Sequence, residues 1–194
     1  MNYRLHTFTR ANRISAVWSQ ALFNYQDPAV ARGLMKLKYS YNLPLYQASA
    51  PYFAEAFLEL QQQLHPIETK WIIVPIPMTI KRRLQRRFNP TLELAKCLSR
   101  ETNLPVYSVL RKSSGKTQGQ YRTRRERKTG IKGRFGSSLG IKLQRLLVRN
   151  NDLIVDANII LIDDVITTGA TMSEARETLL GLGAKNVVAL AFAH

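Results

Sequence analysis

The sequence predicts an α/β protein with a mostly parallel, twisted sheet flanked by helices. An uninterrupted apolar run at residues 159–162 is typical of a strand that is buried on both faces of a parallel sheet. From residue 71 onward, strand-like and helix-like segments alternate, which indicates parallel strands joined by crossover helices. A Thr/Gly-rich turn separates the apolar run from a helical pattern that begins near residue 171.

The N-terminal region has a different character and predicts helices. Amphipathic patterns near residues 28–38 and 45–64 place apolar side chains at helical spacing. We therefore expect an N-terminal helical extension over residues 1–70 and an α/β core over residues 71–194.

Within the core, the order of elements follows from apolar runs, turn residues and periodicity. The patterns predict strands at 71–78, 105–112, 159–162 and 186–193, helices at 91–103 and 171–181, a basic loop at 113–130, a strand or turn at 132–140, and a weaker helix or loop at 142–151.

The net charge of +16 is concentrated in the middle of the chain. Residues 81–149 carry 20 Lys and Arg against three Glu, a net +17, and the rest of the chain is close to neutral. Charge collected in one segment predicts a polyanionic partner there.

The remaining composition narrows the class of protein. The single cysteine, Cys97, excludes an intramolecular disulfide and a cysteine-based zinc cluster. There is no apolar run long enough to cross a membrane and no signal-peptide pattern, so we expect a cytoplasmic protein without membrane insertion. Either a monomer or a dimer is compatible with the sequence.

The first candidate site is the turn after the apolar run. A strand end that leads through hydroxyl residues into a helix directs backbone N–H groups and the positive end of the helix dipole to one point, which suits a phosphate. The adjacent pair Asp163 and Asp164 can accept hydrogen bonds from vicinal hydroxyls. These two features predict a ribose 5-phosphate site, in which the phosphate is bound by Thr167, Thr168, Gly169, Ala170 and Thr171.

The second candidate site follows the strand at 71–78, whose carboxyl end should lie at the same edge of the sheet. Its end contains Pro75, Ile76, Pro77 and Met78, where the prolines fix the exit direction of the chain. A basic cluster follows at once, and arginine suits polyphosphate because it donates forked hydrogen bonds. The basic residues that we expect to bind anions or DNA are Lys81, Arg82, Arg83, Arg86, Arg87, Lys116, Arg122, Arg124, Arg125 and Arg127.

The segment at 159–172 resembles the phosphoribosyl pyrophosphate (PRPP) signature of type I phosphoribosyltransferases, namely four hydrophobic residues, two acids and a Thr/Gly-rich loop. A narrower resemblance, to the ComF (GntX-like) family of competence-associated proteins with this fold, spans roughly residues 34–193. It rests on the motifs at Lys38-Tyr39, Pro75-x-Pro77, Phe88-Asn89, Thr117 with Gln120, Arg127, and Gly133-x-Phe135.

Three departures from the ComF pattern stand out. The four-cysteine zinc element that often begins these proteins is missing, so we expect no zinc. Arg87 stands where the family usually has a glycine before the Phe-Asn pair, and Gly130 stands where an Asn is common. The last two concern the details of the loops and leave the expected fold unchanged.

The resemblance implies a type I phosphoribosyltransferase-like core under an N-terminal hood. It implies that Asp163 and Asp164 bind the ribose hydroxyls, that residues 75–78 contact pyrophosphate with its Mg²⁺, and that the 113–130 loop closes over the site. No protein side chain is predicted as a metal ligand.

Three functions remain open from the sequence. The first is a phosphoribosyltransferase of unknown acceptor that acts in natural transformation. The second is a competence factor that binds single-stranded DNA without catalysis, and the third is a PRPP sensor. Other competence proteins are further candidate partners.

Overall fold

The computed structural model describes residues 18–64, 70–112, 135–137 and 153–194. Its centre is a four-stranded sheet in the order β1-β6-β5-β2, and every pair in it is parallel. The strands are β1 (Ser19–Phe23), β2 (Trp71–Pro75), β5 (Asn158–Val165) and β6 (Asn186–Ala193). The predicted α/β class and parallel sheet are confirmed.

Helices lie against this sheet, and a small second sheet lies beside it. The helices are α1 (Pro28–Tyr39), α2 (Leu43–Leu64), α3 (Ile80–Arg86), α4 (Pro90–Thr102) and α5 (Ala170–Gly181). In the second sheet, β3 (Leu110–Lys112) pairs antiparallel with β4 (Phe135–Ser137).

The sheet is buried on both faces, which explains the apolar runs of its strands. Along β5, Ile160 and Ile162 point into the core beneath α2 and α4, whereas Ile159 and Leu161 point into the core beneath α5. Side chains alternate between the faces of a strand, so a strand covered on both sides needs apolar residues at every position.

The N-terminal region contributes a strand as well as the two predicted helices. In β1, Ala21 lies opposite Ala191 of β6, and Leu22 and Phe23 are buried in the core shared with α2. The sequence does not predict β1, because a five-residue run that contains a glutamine has too little pattern to separate strand from coil.

The strand predicted at 105–112 is divided between the two sheets. Val106 forms a single parallel bridge with Ile73, and the Tyr107 N–H donates to the Ile73 carbonyl at 2.9 Å. The chain then turns tightly, with the Val109 N–H on the Tyr107 carbonyl at 3.0 Å, before β3 begins. That turn carries the chain away from the edge of β2, so the one predicted strand becomes a bridge and a separate short strand.

No helix within the described parts of the chain combines the length and the apolar character that crossing a membrane requires. The predicted 113–130 loop and the 142–151 segment lie outside the described residues.

Candidate functional site

A cavity of about 440 Å³ opens at the carboxyl edge of the parallel sheet, where β2 and β5 end side by side. Its walls come from segments that are far apart in the chain: the end of α1, the turn after β2, α3, the start of α4, and the end of β5 with the start of α5. The cavity therefore combines both sites that the sequence predicts.

The acid pair forms one wall of this cavity. Asp163 and Asp164 both line it and are half-buried. The backbone N–H of Asp164 donates to Oδ1 of Asp163 at 2.8 Å, which fixes the orientation of that carboxylate. The paired carboxylates thus offer acceptor oxygens at the end of a rigid, buried strand.

The loop between β5 and α5, with the start of α5, carries the five residues for which the sequence predicts phosphate binding. Thr167 and Thr171 line the cavity, and Gly169 occupies the N-cap of α5 with φ +71°. A Cβ added at Gly169 would meet no atom within 4 Å, so the loop faces open space. The first turn of α5 contains no acidic residue, which leaves the positive end of its dipole available to an anion.

The turn after β2 forms the facing wall. The Ile76 N–H donates to the Ile162 carbonyl at 2.8 Å, so the pairing with β5 continues past Pro75. Thr91 lies at the start of α4. Its hydroxyl donates to the Ile76 carbonyl at 2.7 Å and so fixes the turn. Ile76, Pro77 and Met78 line the cavity as predicted, together with Thr79.

The described part of the predicted basic cluster contributes two residues to this cavity. Arg82 and Arg86 line it, and the Arg86 guanidinium carbon lies 4.8 Å from the centroid of the Tyr39 ring. The side chains of Lys81 and Arg83 lie outside the described residues, as do Lys116, Arg122, Arg124, Arg125 and Arg127.

Arg87 follows α3 directly and does not line the cavity. Its φ of +61° lies in the left-handed region that favours glycine. The ComF pattern has glycine at this position, and the backbone gives the physical reason: the chain must turn in a left-handed conformation to leave α3.

Residues from α1 also line the cavity, and no site role had been predicted for them. They are Met35, Lys38 and Tyr39, and Nζ of Lys38 lies 3.8 Å from Oδ2 of Asp164. The sequence signal was the Lys38-Tyr39 pair of the ComF resemblance, which carries no information about what the lysine contacts.

A buried tyrosine holds the end of α1 in place. Tyr46 of α2 is fully buried, and its hydroxyl donates to the Leu37 carbonyl at 2.6 Å. Leu37 is in the last turn of α1, where carbonyls lack partners within the helix. Burial raises the pKa of Tyr46 far above its ordinary value, and the nearby carboxylates Glu93 and Asp164 raise it further. The phenol therefore stays protonated and keeps donating.

No family model matches the chain. Over 170 residues it is 26% identical to the competence protein ComFC of Bacillus subtilis (strain 168), in an alignment that covers 85% of this chain and 59% of that protein. The chain thus spans about three fifths of the length of this relative.

A comparison with solved structures finds matches at low sequence identity, and two of them serve as examples. One is the glutamine PRPP amidotransferase from B. subtilis complexed with ADP and GMP, at 14% identity and a TM-score of 0.43 over 81% of this chain and 30% of that one. The other is the hypoxanthine-guanine phosphoribosyltransferase of L. donovani, at 14% identity and a TM-score of 0.42 over 77% of this chain and 71% of that one. In sequence the chain is ComFC-like, which confirms the predicted resemblance to the ComF family.

Proposed function

We propose that this chain binds PRPP in the cavity at the carboxyl edge of its sheet. The observation that carries the proposal is that two parts of the chain far apart in sequence line one cavity: residues 76–79 on one side, and Asp163, Asp164, Val165, Thr167 and Thr171 on the other. The proposal assigns the ribose hydroxyls to Asp163 and Asp164, the 5-phosphate to residues 167–171, and the pyrophosphate to residues 75–78.

The charges around the cavity suit this ligand. Arg82 and Arg86 line the cavity, and the proposal assigns the pyrophosphate to their positive charges and to the turn after β2. Carboxylate and hydroxyl oxygens are the donors that Mg²⁺ prefers, and the ion usually keeps most of its remaining contacts with water and phosphate. Asp163 and Asp164 therefore fit a Mg²⁺ ion that arrives with PRPP, and the bound ion would neutralise charge on the pyrophosphate.

The reaction that such a site supports is phosphoribosyl transfer. An acceptor atom would form a bond to C1 of the ribose while the bond from C1 to pyrophosphate breaks and pyrophosphate leaves. Catalysis then consists of positioning and of stabilising the leaving group by fixed positive charge. The similarity to a protein named for competence leads us to place this activity in natural transformation.

Thermal unfolding with and without PRPP and Mg²⁺ tests the binding. We expect PRPP at about 100 times its Kd to stabilise the wild type by about 2.7 kcal/mol, and Asp163→Ala with Asp164→Ala to abolish that gain. The matched control is Glu101→Ala with Glu177→Ala, which removes the same charge from exposed positions that do not line the cavity. A wild type whose melting temperature does not respond to PRPP would refute the proposal.

Release of pyrophosphate separates an enzyme from a sensor. When PRPP is bound and a panel of nitrogen acceptors is tested, an enzyme releases pyrophosphate in an amount that rises with the concentration of one acceptor. A protein that binds PRPP and releases none with any acceptor is a sensor.

A second candidate function is binding of single-stranded DNA, favoured by the net charge of +17 over residues 81–149. Two cations of this segment, Arg82 and Arg86, line the cavity, and the exposed ring of Tyr39 lies against Arg86. Exposed aromatic rings next to arginine are the usual components of a surface on which bases stack.

Fluorescence anisotropy of a labelled oligonucleotide at several salt concentrations tests this function. The logarithm of the binding constant should fall with that of salt by about 0.7 per phosphate contact. Arg82→Gln with Arg86→Gln should reduce the slope, whereas Lys70→Gln with Lys185→Gln, from outside the basic segment, should not. An affinity that does not change with salt would rule this function out.

A further inference from the structure

The ion pair between Lys38 and Asp164 links the N-terminal segment to the acid pair. The two residues are 126 positions apart in the sequence, and their side chains are 20% and 14% exposed. A carboxylate held in such a place loses much of its hydration, and a cation nearby offsets that loss.

The length of this contact matters for ligand binding. At 3.8 Å, Nζ and Oδ2 are too far apart for a hydrogen bond, so the attraction is Coulombic. The lysine therefore balances the charge of Asp164 without using a short hydrogen bond to this oxygen. Oδ2 of Asp164 can therefore still accept a hydrogen bond from a hydroxyl group.

The lysine itself is held in place. Leu37, the preceding residue, is fully buried and receives the hydrogen bond from Tyr46, and Tyr39, the following residue, lies against Arg86. Both neighbours of Lys38 are thus fixed to other helices, and the ammonium is directed at Asp164 by the backbone of α1 and by tertiary contacts.

We propose that Lys38 is the positioning residue for Asp164, whose carboxylate it orients by Coulombic attraction for the vicinal diol of a ribose phosphate. This inference rests on the proposed function of the cavity. Lys38 acts through Asp164 and does not itself bind the phosphate groups. Those are bound by the N-terminal end of α5 and by the arginines. A neutral residue at position 38 should therefore weaken ligands that contain the ribose and spare those that lack it.

Calorimetric titration of three probes tests this role: PRPP with Mg²⁺, ribose 5-phosphate, and inorganic pyrophosphate. We expect Lys38→Met, which keeps an unbranched side chain, to lower the affinity for the two ribose ligands about tenfold, because it leaves a carboxylate without its counter-charge. Lys38→Arg should restore binding to within about threefold because it keeps the charge. Pyrophosphate should bind as tightly to Lys38→Met as to the wild type.

A double-mutant cycle shows whether the lysine acts through the aspartate. In an Asp164→Asn background, Lys38→Met should cost less than about twofold in ribose 5-phosphate affinity, because its partner is already neutral. Lys36→Met is the matched control, since it removes the same charge from the same turn of α1 at an exposed position that does not line the cavity. It should leave all three affinities unchanged.

Each other result overturns the proposal. Equal losses for pyrophosphate and ribose 5-phosphate would make Lys38 a direct phosphate contact, and additive losses in the cycle would make it independent of Asp164. If the wild type binds PRPP and Lys38→Met binds it equally well, the role of Lys38 falls while the proposed function stands. If the wild type binds none of the probes, both fall.

Discussion

The two walls of the cavity are built in different ways. The wall formed by the end of β5 and the start of α5 is one continuous segment in which strand, acid pair, glycine turn and helix follow in order. The opposite wall combines residues of α1, the turn after β2, α3 and α4, which meet only after the chain has folded. The first wall is a local motif, whereas the second depends on buried tertiary contacts at some distance from the ligand.

This difference predicts how each wall fails. A substitution in the continuous wall should alter binding locally, through the backbone conformation of the loop. In the assembled wall, a buried residue that never touches the ligand should still alter binding.

Tyr46→Phe is the strongest of these tests on the assembled wall. It removes the hydroxyl that donates to the Leu37 carbonyl and leaves that carbonyl buried without this donor. We expect a loss of about 1–3 kcal/mol in the free energy of unfolding, together with a smaller PRPP-induced gain in melting temperature. Tyr25→Phe, at an exposed position, is the control and should change neither quantity.

The same tyrosine predicts the response to alkaline pH. Because burial raises the pKa of Tyr46 in the folded protein, its stabilising contribution is complete below the ordinary tyrosine pKa of about 10. That contribution is lost as the pH rises above this value, since the unfolded chain ionises first. Denaturant titrations above pH 10 should show the wild type losing stability more steeply than Tyr46→Phe, and parallel curves would contradict the prediction.

Gly169→Ala tests the continuous wall. The φ of +71° at Gly169 disfavours a side chain although there is room for one, so the cost arises from the backbone alone. We expect about 1 kcal/mol of destabilisation and weaker binding of ribose 5-phosphate. Gly181→Ala, at the end of α5 with equal room and no left-handed φ, should instead be neutral or stabilising. Equal effects of the two substitutions would show that the loop conformation is unimportant.

The smallest effect is expected at the edge of the assembled wall. Arg87→Gly should stabilise the protein by up to about 1 kcal/mol, because glycine adopts the left-handed φ of +61° without strain. Asn103→Gly, at a φ of +56°, should gain less, since asparagine tolerates this region. Thermal unfolding of both variants checks the order, and a destabilised Arg87→Gly would show that the arginine makes a contact that outweighs its backbone strain.

The sequence predicted the elements of the continuous wall. The helix expected at 171–181 is α5 (Ala170–Gly181), and the strand expected at 159–162 is the centre of the longer β5 (Asn158–Val165), which includes the acid pair. A strand buried on both faces contains an apolar run, and a turn from strand to helix contains hydroxyl residues and a glycine. Both signals are local, so a single sequence shows them.

For the assembled wall, the sequence predicted the turn after β2 and the arginines of α3, but not the residues that α1 contributes. Lys38 lies near Asp164, and Tyr39 lies against Arg86. Tyr46 donates to the Leu37 carbonyl. These contacts form only because folding brings α1 and α2 close to residues that are far away in the sequence. β1 was missed for a related reason, because its place beside β6 is set by pairing and by core packing rather than by its own five residues.

What the sequence determined by itself is the parallel α/β class and the succession of strand, acid pair, turn and helix, because hydrophobic period and turn residues act over a few positions. Only the tertiary structure decided which cations lie against the acids. A Coulombic contact depends on distance in space, and for Lys38 and Asp164 that distance is set by the burial of Leu37 and Tyr46.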